Sequence, residues 1–217
     1  MAQSRSDITK NALIEAAFQL FAEKGFTATS TREIAAAANT NIASITYHFS
    51  GKAGLRTACA QTIVERMTDL RNNPDKTTLP DIIKNAETTF EALVLRQGYM
   101  ILILKEAGAM IRFLFREAQE ESEVFDHIYE NFFSPVFELF LLHWAQATGM
   151  SAQEAQTENT RLTVFSIIAQ IAYFRIGQPV VARHLDWTGY DRDETLKVLA
   201  TLQSNIRAII CAHRSTS

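Results

Sequence analysis

Several features of secreted, membrane-bound and metal-dependent proteins are missing from this sequence. Its 217 residues include only two cysteines, Cys59 and Cys211, which are too few and too far apart for a disulfide framework or a metal cluster. The N-terminus lacks the basic-then-apolar order of a signal peptide. No apolar run approaches the ~20 residues that span a bilayer. We therefore expect no membrane partner, buried packing cysteines, and a soluble protein of the reducing cytoplasm.

Proline and strand-like patterns are also scarce. The chain has four prolines and is 47% hydrophobic, a composition typical of a folded, helix-rich protein. No segment sustains the two-residue alternation of a β-strand. We therefore predict an all-α fold of about nine helices. An N-terminal domain should cover residues 4–66, and a larger C-terminal domain residues 67–217.

Charge is unevenly divided along the chain. The net charge of −3 argues against a protein that attracts nucleic acid over its whole surface. Residues 1–56 hold six Lys/Arg and four Asp/Glu, a charge of +2, whereas the remainder holds fifteen against twenty, a charge of −5. A weakly basic N-terminal domain on an acidic body is compatible with local contact to phosphates.

Residues 30–55, with the sequence STREIAAAANTNIASITYHFSGKAGL, predict two short helices around a tight turn. Ser30 and Glu33 have the spacing of a capping box, so a helix should begin next to Ser30. Asn39 tolerates the left-handed backbone that ends a helix. Ile45 and Phe49 lie four residues apart in the second helix and should face the core. This is helix-turn-helix anatomy, in which the second helix enters a DNA major groove.

The flanking segments predict two longer helices. The first should cover residues 7–24, where apolar residues form a broad stripe, and Gly25 supplies the stop. The fourth should be capped by Ser50 and cover residues 52–71, and an Asn-Asn-Pro-Asp sequence follows it.

These residues resemble the DNA-binding domain of the tetracycline-repressor (TetR) family. The resemblance spans roughly Asp7 to Arg66 and includes FAEKGF in the first helix, TSTREIA, and YHFSGKAGL. Two later segments, FREAQEESEVF and FRIGQPVVARHL, are similar to the C-terminal domain of the CecR-like subgroup. The resemblance implies a homodimeric regulator that binds a double-stranded DNA operator.

The resemblance also implies phosphate contacts by Ser30, Thr31, Tyr47, His48 and Lys52. Free N–H groups and the helix dipole favour an anion at the helix start next to Ser30. Lys52 begins a helix, which is a poor place for a cation unless an outside anion compensates it. A solvated surface lysine is the alternative.

Reading of base edges should fall to residues of the same two helices. Arg32 could form a bidentate pair with guanine, and Ile42 with Ala43 could contact a thymine methyl group. For Arg32 the alternative is an exposed residue paired with a nearby acid, and for Tyr47 a half-buried packing aromatic. The predicted DNA-binding residues are Ser30, Thr31, Arg32, Asn41, Ile42, Ala43, Ser44, Thr46, Tyr47, His48 and Lys52.

The sequence departs from the family pattern at two places. Asn39 and Thr40 stand in the turn where family members usually have Gly-Val, so the apolar residue that normally pins the turn is absent. Thr46 stands where many members carry a tyrosine. More of the phosphate contact is therefore expected from Tyr47.

The rest of the chain predicts further helices and a dimer interface. We expect them near residues 80–97, 99–119, 122–148, 152–177 and 191–213, with a short helical turn at 180–185. Residues 161–176 are apolar on nearly every side, so protein must enclose that helix. With the last helix it can form an isologous four-helix interface between two copies, where the resemblance also points; burial within one monomer is the alternative. The predicted interface residues are Phe165, Ile168, Leu199, Leu202, Ile206 and Ile209.

The middle helices contain many large aromatic residues and methionines. Most such residues pack in a core, but an apolar cavity with a few polar groups can bind a ligand. We hypothesise a small, mainly apolar or aromatic effector between helices 99–119 and 122–148. The predicted effector-binding residues are Phe90, Tyr99, Met110, Phe113, Arg116, Phe133, Phe137, Tyr173 and Phe174.

No residue pattern indicates catalysis. His127 and His143 are sixteen residues apart, too far for joint ligation, and no nucleophile–base pair or phosphate loop is present. We therefore expect no enzyme activity, metal or cofactor. The leading hypothesis is a dimeric repressor that a small effector releases from a palindromic operator. An effector-independent DNA-binding protein, a transcriptional activator, and a helical enzyme or lipid carrier are the alternatives.

Overall fold

The structure, a computed structural model, describes residues 5–72, 78–103 and 107–214. Within these ranges the regular structure is helical and no strand occurs, as predicted. No single described helix is long and apolar enough to cross a membrane, although one consecutive pair, bent by 77°, would qualify on length and composition. The helices are α1 Arg5–Lys24, α2 Thr31–Ala37, α3 Ile42–Phe49, α4 Lys52–Asn72, α5 Asp81–Lys84, α6 Thr89–Ile103, α7 Ala107–Gln119, α8 Glu123–Ile128, α9 Ser134–Thr148, α10 Ala152–Ala155, α11 Glu158–Ile176, α12 Gln178–His184 and α13 Arg192–His213.

The chain divides into two compact units. The first unit contains residues 1–74 and 109–133, and the second unit contains residues 75–108 and 134–217. Residues 109–133 therefore pack with the N-terminal helices, although they lie far along the chain. Apolar side chains of α1 to α4 and of α7 and α8 form one core, in which the ring of Phe113 lies 5.6 Å from that of Phe18.

The second unit has its own core, built from α6, α9, α11 and α13. The indole of Trp144 is fully buried against Phe90, with ring centroids 5.2 Å apart. The buried carboxylate of Glu91 accepts hydrogen bonds from Arg207 Nη2 at 2.9 Å and Gln203 Nε2 at 2.7 Å, which satisfies its charge.

Gly98 lies between the predicted helices 80–97 and 99–119 but does not end a helix, so that division was wrong. It lies inside α6 and is buried, because α6 approaches α13 and α11 closely at this point. A Cβ atom on Gly98 would lie 3.2 Å from Leu199 Cδ2 and 3.7 Å from Ile171 Cγ1. The predicted helix 99–119 also includes residues 104–106, which lie outside the described ranges.

Four other predicted boundaries also differ. The predicted helix 80–97 is divided into α5 and α6 by residues 85–88. Ser50 ends α3 in the left-handed conformation, at φ 60°, and does not cap α4, whose first turn closes on the Gly51 carbonyl. The predicted helix 122–148 is interrupted by a π-helical turn at Tyr129–Phe133. The predicted helix 152–177 is interrupted before α11, where the Thr157 side chain accepts a hydrogen bond from Thr160 N.

Candidate nucleic-acid interface

The start of α2 is a capping box, as predicted. Ser30 Oγ accepts a hydrogen bond from Glu33 N at 3.2 Å, and Ser30 N donates to Glu33 Oε2 at 2.8 Å. Lys24 Nζ lies 2.7 Å from the other carboxylate oxygen. The hydrogen bond from Lys24, followed by the one from Ser30 N, lowers the pKa of Glu33 from 4.5 to about 2. Glu33 is therefore ionised at neutral pH and fixes the backbone where α2 begins.

The turn between α2 and α3 is held by three consecutive polar residues. Asn39 adopts the predicted left-handed conformation, at φ 50°. Thr40 Oγ1 donates to Ser44 Oγ at 3.3 Å, so a hydroxyl occupies the place where the family has an apolar residue. The Asn41 side chain accepts from Ala43 N at 2.9 Å and caps α3.

Helix α3 has one buried and one exposed face. Ile45 and Phe49 are buried in the first unit, as their spacing predicted. Ile42 is 43% exposed, and Tyr47 is 81% exposed with its ring edge-on to His48 at 4.9 Å. Asn41, Ala43 and Thr46 are also exposed, while Ser44 and His48 are half-buried.

Residues at the N-terminus of α2 lie at the surface as well. Ser30 and Arg32 are exposed, and Thr31 is half-buried. The side chain of Arg32 is therefore open to an outside partner. The DNA-contact roles of these residues and of the α3 residues remain predictions.

Lys52 is placed differently from a free surface lysine. Its Nζ donates to the carbonyl oxygens of Phe26 and Thr29, both at 2.8 Å, and lies 4.3 Å from the centroid of the Phe26 ring. These carbonyl oxygens supply the negative partner that the Lys52 ammonium group needs, because the first turn of α4 offers none. Two of the three ammonium N–H groups are used in this way, so the predicted phosphate contact would fall to the third.

Two family matches cover most of the chain. The domain described as bacterial regulatory proteins, tetR family, matches residues 13–59, and the C-terminal domain of the HTH-type transcriptional dual regulator CecR matches residues 86–213. The chain belongs to the TetR family. It is thus a DNA-binding transcriptional regulator, and this family is not enzymatic.

Individual relatives agree with this membership. The chain is 27% identical to the HTH-type transcriptional dual regulator CecR of Shigella flexneri, over 95% of this chain and 93% of that protein. A TetR-like transcriptional regulator from Rhodococcus sp. RHA1 superposes with a TM-score of 0.63 at 16% identity, covering 95% of this chain and 99% of that one. AibR in complex with isovaleryl coenzyme A and operator DNA gives a TM-score of 0.62 at 17% identity, with coverages of 91% and 97%.

The residues predicted to bind an effector in this TetR-family protein divide between the two units. Phe90 and Tyr99 are buried in the second unit, and Met110 and Phe113 are buried in the first. Arg116, in the first unit, donates to the carbonyl oxygens at the end of α1. Of the others, Phe133 belongs to the first unit, and the second unit contains half-buried Phe137 and Phe174 and exposed Tyr173.

One groove opens on the surface of the second unit. It has a volume of about 470 Å³ and lies between α9 and α11, with Gln156, the residue after α10, at one side. Phe137 and Phe165, whose ring centroids are 6.0 Å apart, form its apolar side together with Leu162. Arg161 is at its rim and pairs with Gln156 and, at 3.9 Å, with Glu138.

The predicted dimer residues also fall into two classes. Leu199, Leu202 and Ile206 are fully buried in the core of the second unit, so they support α13 from inside one copy. Ile168 and Ile209 are half-buried, and Phe165 is 63% exposed. The predicted interface did not include three other exposed apolar residues of α11, which are Leu162, Tyr173 and Ile176. Tyr173 was instead predicted to bind an effector.

Two further residues were missed because their partners lie far away in the sequence. Arg56 Nε donates to Glu117 Oε1 at 2.9 Å, across 61 residues. Glu117 is almost fully buried and also accepts from Ser122 Oγ at 2.6 Å. Among the described residues, no group of three or more His, Cys, Asp or Glu could hold a metal ion.

Proposed function

We propose that this TetR-family regulator is a homodimeric repressor that a small, mainly apolar effector releases from a palindromic operator. Residues 4–66 would contact DNA, and residues 67–217 would provide pairing and effector binding. The protein would act in the cytoplasm, where a regulator of this family meets DNA. The observation that supports the proposal most directly is the exposed face of α3, which presents Ile42, Ala43, Thr46 and Tyr47 to a partner.

The side chains of that face are suited to a major groove. The side chains of Ile42 and Ala43 are small enough for α3 to approach the base edges closely, and they can contact thymine methyl groups. Tyr47 carries a hydroxyl on an exposed ring, which suits a phosphate oxygen. The capped N-terminus of α2, with Ser30 and Thr31, would bind a second phosphate through its free N–H groups.

The dimer proposal is supported by α11. Leu162, Phe165, Tyr173 and Ile176 are all more than half exposed, and their spacing puts them on one side of the helix. A continuous exposed apolar stripe of this kind indicates a protein–protein interface. Two copies related by a twofold axis would bury the stripe and place two α3 helices on two half-sites.

The effector proposal is supported by composition and by linkage. The predicted binding residues Phe90, Tyr99, Phe137 and Phe174 of the second unit supply large aromatic rings, which suit a mainly apolar or aromatic molecule. An effector that binds better to a form unable to grip the operator must weaken DNA binding by the same factor. A coupling of about 1–3 kcal/mol would change operator affinity by about 5–150-fold.

A second candidate is a regulator that also activates transcription. The relative from Shigella flexneri is named a dual regulator, and the chain matches it over most of its length. The proposed contacts of α3 with DNA would be the same whether the protein activates or represses transcription. Transcription from a selected promoter, with and without the protein, would distinguish repression from activation.

The operator is tested first by selection. Purified protein is mixed with sheared DNA from its own genome, bound fragments are sequenced, and a duplex is synthesised from the enriched site. We expect one or a few enriched sites with twofold symmetry. Absence of any enrichment at low salt would contradict the proposed function.

The effector is tested next on that duplex. A panel of apolar antibiotics, aromatic acids and acyl thioesters, with isovaleryl coenzyme A among them because AibR was solved with it, is screened by thermal shift. A true effector should raise the unfolding temperature and release the duplex at the same concentrations. Uniform absence of shifts and release would favour an effector-independent protein.

A further inference from the structure

The loop between α1 and α2 determines where α2, one of the two helices proposed to contact DNA, begins. It begins at Gly25, which has φ 83° and whose N–H donates to Phe21 O at 2.9 Å. It ends at Ser30, the N-cap of α2. The buried Thr29 hydroxyl donates to Gly25 O at 2.7 Å and closes the loop on itself. A shift of this loop therefore moves the start of α2.

Helix α4 holds this loop through two cations. Lys52 Nζ binds the carbonyl oxygens of Phe26 and Thr29 and lies 4.3 Å from the Phe26 ring centroid. Arg56 places its guanidinium carbon 4.4 Å from the centroid of the same ring. Both cations are within the ~6 Å at which an aromatic face attracts a positive charge.

Helix α7 supplies the acids that neutralise this pair. Arg56 Nη2 lies 2.8 Å from Glu117 Oε2 and also pairs with Glu120. Two cations beside one ring repel each other, so these carboxylates favour the stacked position of Arg56. The sequence of contacts therefore runs from Glu117 and Glu120 through Arg56 to Phe26.

A second contact from α7 reaches the other end of the loop. Arg116 Nε donates to Ala22 O at 3.1 Å, and its Nη2 donates to Glu23 O at 2.8 Å. These carbonyls belong to the last turn of α1 and need such donors. A Cβ atom on Gly25 would lie 3.2 Å from Arg116 Nη1, so the guanidinium also packs directly against the loop.

From these contacts we propose that Phe26 is a positioning residue for operator binding, and that the end of α7 sets operator affinity through Arg56 and the Phe26 ring. Phe26 itself needs no contact with DNA. The proposal rests on the proposed function, because it assumes that α2 and α3 bind the operator. The inference adds a chain of contacts through which a change at α7 would affect the DNA-contacting helices α2 and α3, all within the first unit.

The first test replaces the ring. Phe26→Leu keeps an apolar side chain but removes the aromatic face, and Phe26→Tyr keeps the face. Phe125→Leu is the matched control, because Phe125 is another partly buried phenylalanine of the first unit. Operator affinity is measured at several salt concentrations, well below the unfolding temperature of each variant.

We expect Phe26→Leu to weaken operator binding about tenfold, a value within the range for coupled contacts. The slope of log affinity against log salt should stay unchanged, because no phosphate contact is removed. Phe26→Tyr and Phe125→Leu should bind like the unmodified protein. Unchanged affinity of Phe26→Leu, or a slope reduced by about 0.9, would overturn the positioning role.

The second test asks whether α7 acts through the ring. Glu120→Gln removes one charge of a partly exposed side chain, so folding should persist. It should weaken operator binding by at least about threefold alone, and by much less in the Phe26→Leu background. If Glu120→Gln changes operator affinity equally in the two backgrounds, or in neither, α7 does not act through the Phe26 ring. Failure of the unmodified protein to bind any selected duplex would instead overturn the proposed function, and the inference with it.

Discussion

Tyr47 is the most exposed of the large apolar side chains in the described residues. If its hydroxyl contacts a phosphate, Tyr47→Ala should cost about 1.5–3 kcal/mol of operator binding, the range for a hydrogen bond to a charged group. The unfolding temperature should stay the same, because the ring packs little. Both values can be measured by fluorescence anisotropy and by calorimetry.

Tyr129→Ala is the matched control for that change. Tyr129 is also exposed and lies in the same unit, but outside α2 and α3. It should bind the operator like the unmodified protein. Equal losses in the two variants would show that Tyr47 has no specific role at the DNA.

Glu33 gives a prediction about pH. Because its pKa is lowered from 4.5 to about 2 in the folded state, its contribution to stability is present above pH 4.5 and is lost as the pH falls towards 2. The difference in unfolding temperature between the unmodified protein and Glu33→Gln should thus be constant from pH 7 to 5. It should shrink between pH 4.5 and 3, which thermal unfolding across this range can check. A difference independent of pH would contradict the ionised capping box.

At the scale of the element, Gly98 provides the clearest test of packing between helices. Gly98→Val should lower the free energy of unfolding by about 1–3 kcal/mol, because the side chain would enter the space of Leu199 and Ile171. Gly189→Val is the control, since a Cβ atom there would meet nothing within 4 Å. Denaturant unfolding of both variants gives the comparison, and equal stabilities would show that α6 and α13 are not closely packed.

The helices of the N-terminal region could be predicted because their signals are local. The Ser30 and Glu33 pair, the left-handed Asn39 and the spacing of Ile45 and Phe49 all lie within a few residues of the structure they determine. Once Ile45 and Phe49 are assigned to the core, the remaining side chains of α3 must form its exposed face. The same reasoning failed at Gly98, because its partners are about 70 to 100 residues away and propensity alone favours a break.

The roles of some site residues could not be predicted from the sequence either. Lys52 binds two carbonyls that precede it by 26 and 23 residues, and no local pattern reports such a contact. Leu199 and Leu202 showed an apolar face on α13, but the spacing could not tell whether the same chain or a second copy covers it. The π-helical turn before α9 is followed closely by Pro135, whose missing N–H and ring disturb a continuous helix, and the prediction of one helix over 122–148 did not use this signal.

At the scale of the whole molecule, the proposed dimer depends on the exposed stripe of α11. Leu162→Glu should dissociate the dimer, because twofold symmetry would bury two like charges in one interface. Ile8→Glu places the same charge on a similarly exposed apolar residue of α1 and should leave the dimer intact. Sedimentation of the two variants gives the answer, and a Leu162→Glu protein that remains dimeric would move the interface elsewhere.

The central claim is that two copies of α3 read one operator at two half-sites, one helical turn or more apart on the duplex. Hydroxyl-radical footprinting on the selected duplex tests it most directly, since it shows which nucleotides the bound protein covers. The account predicts two symmetric protected regions whose centres are about 10–10.5 base pairs, or a multiple of that, apart. A single protected region, or protection without any preferred position, would contradict it.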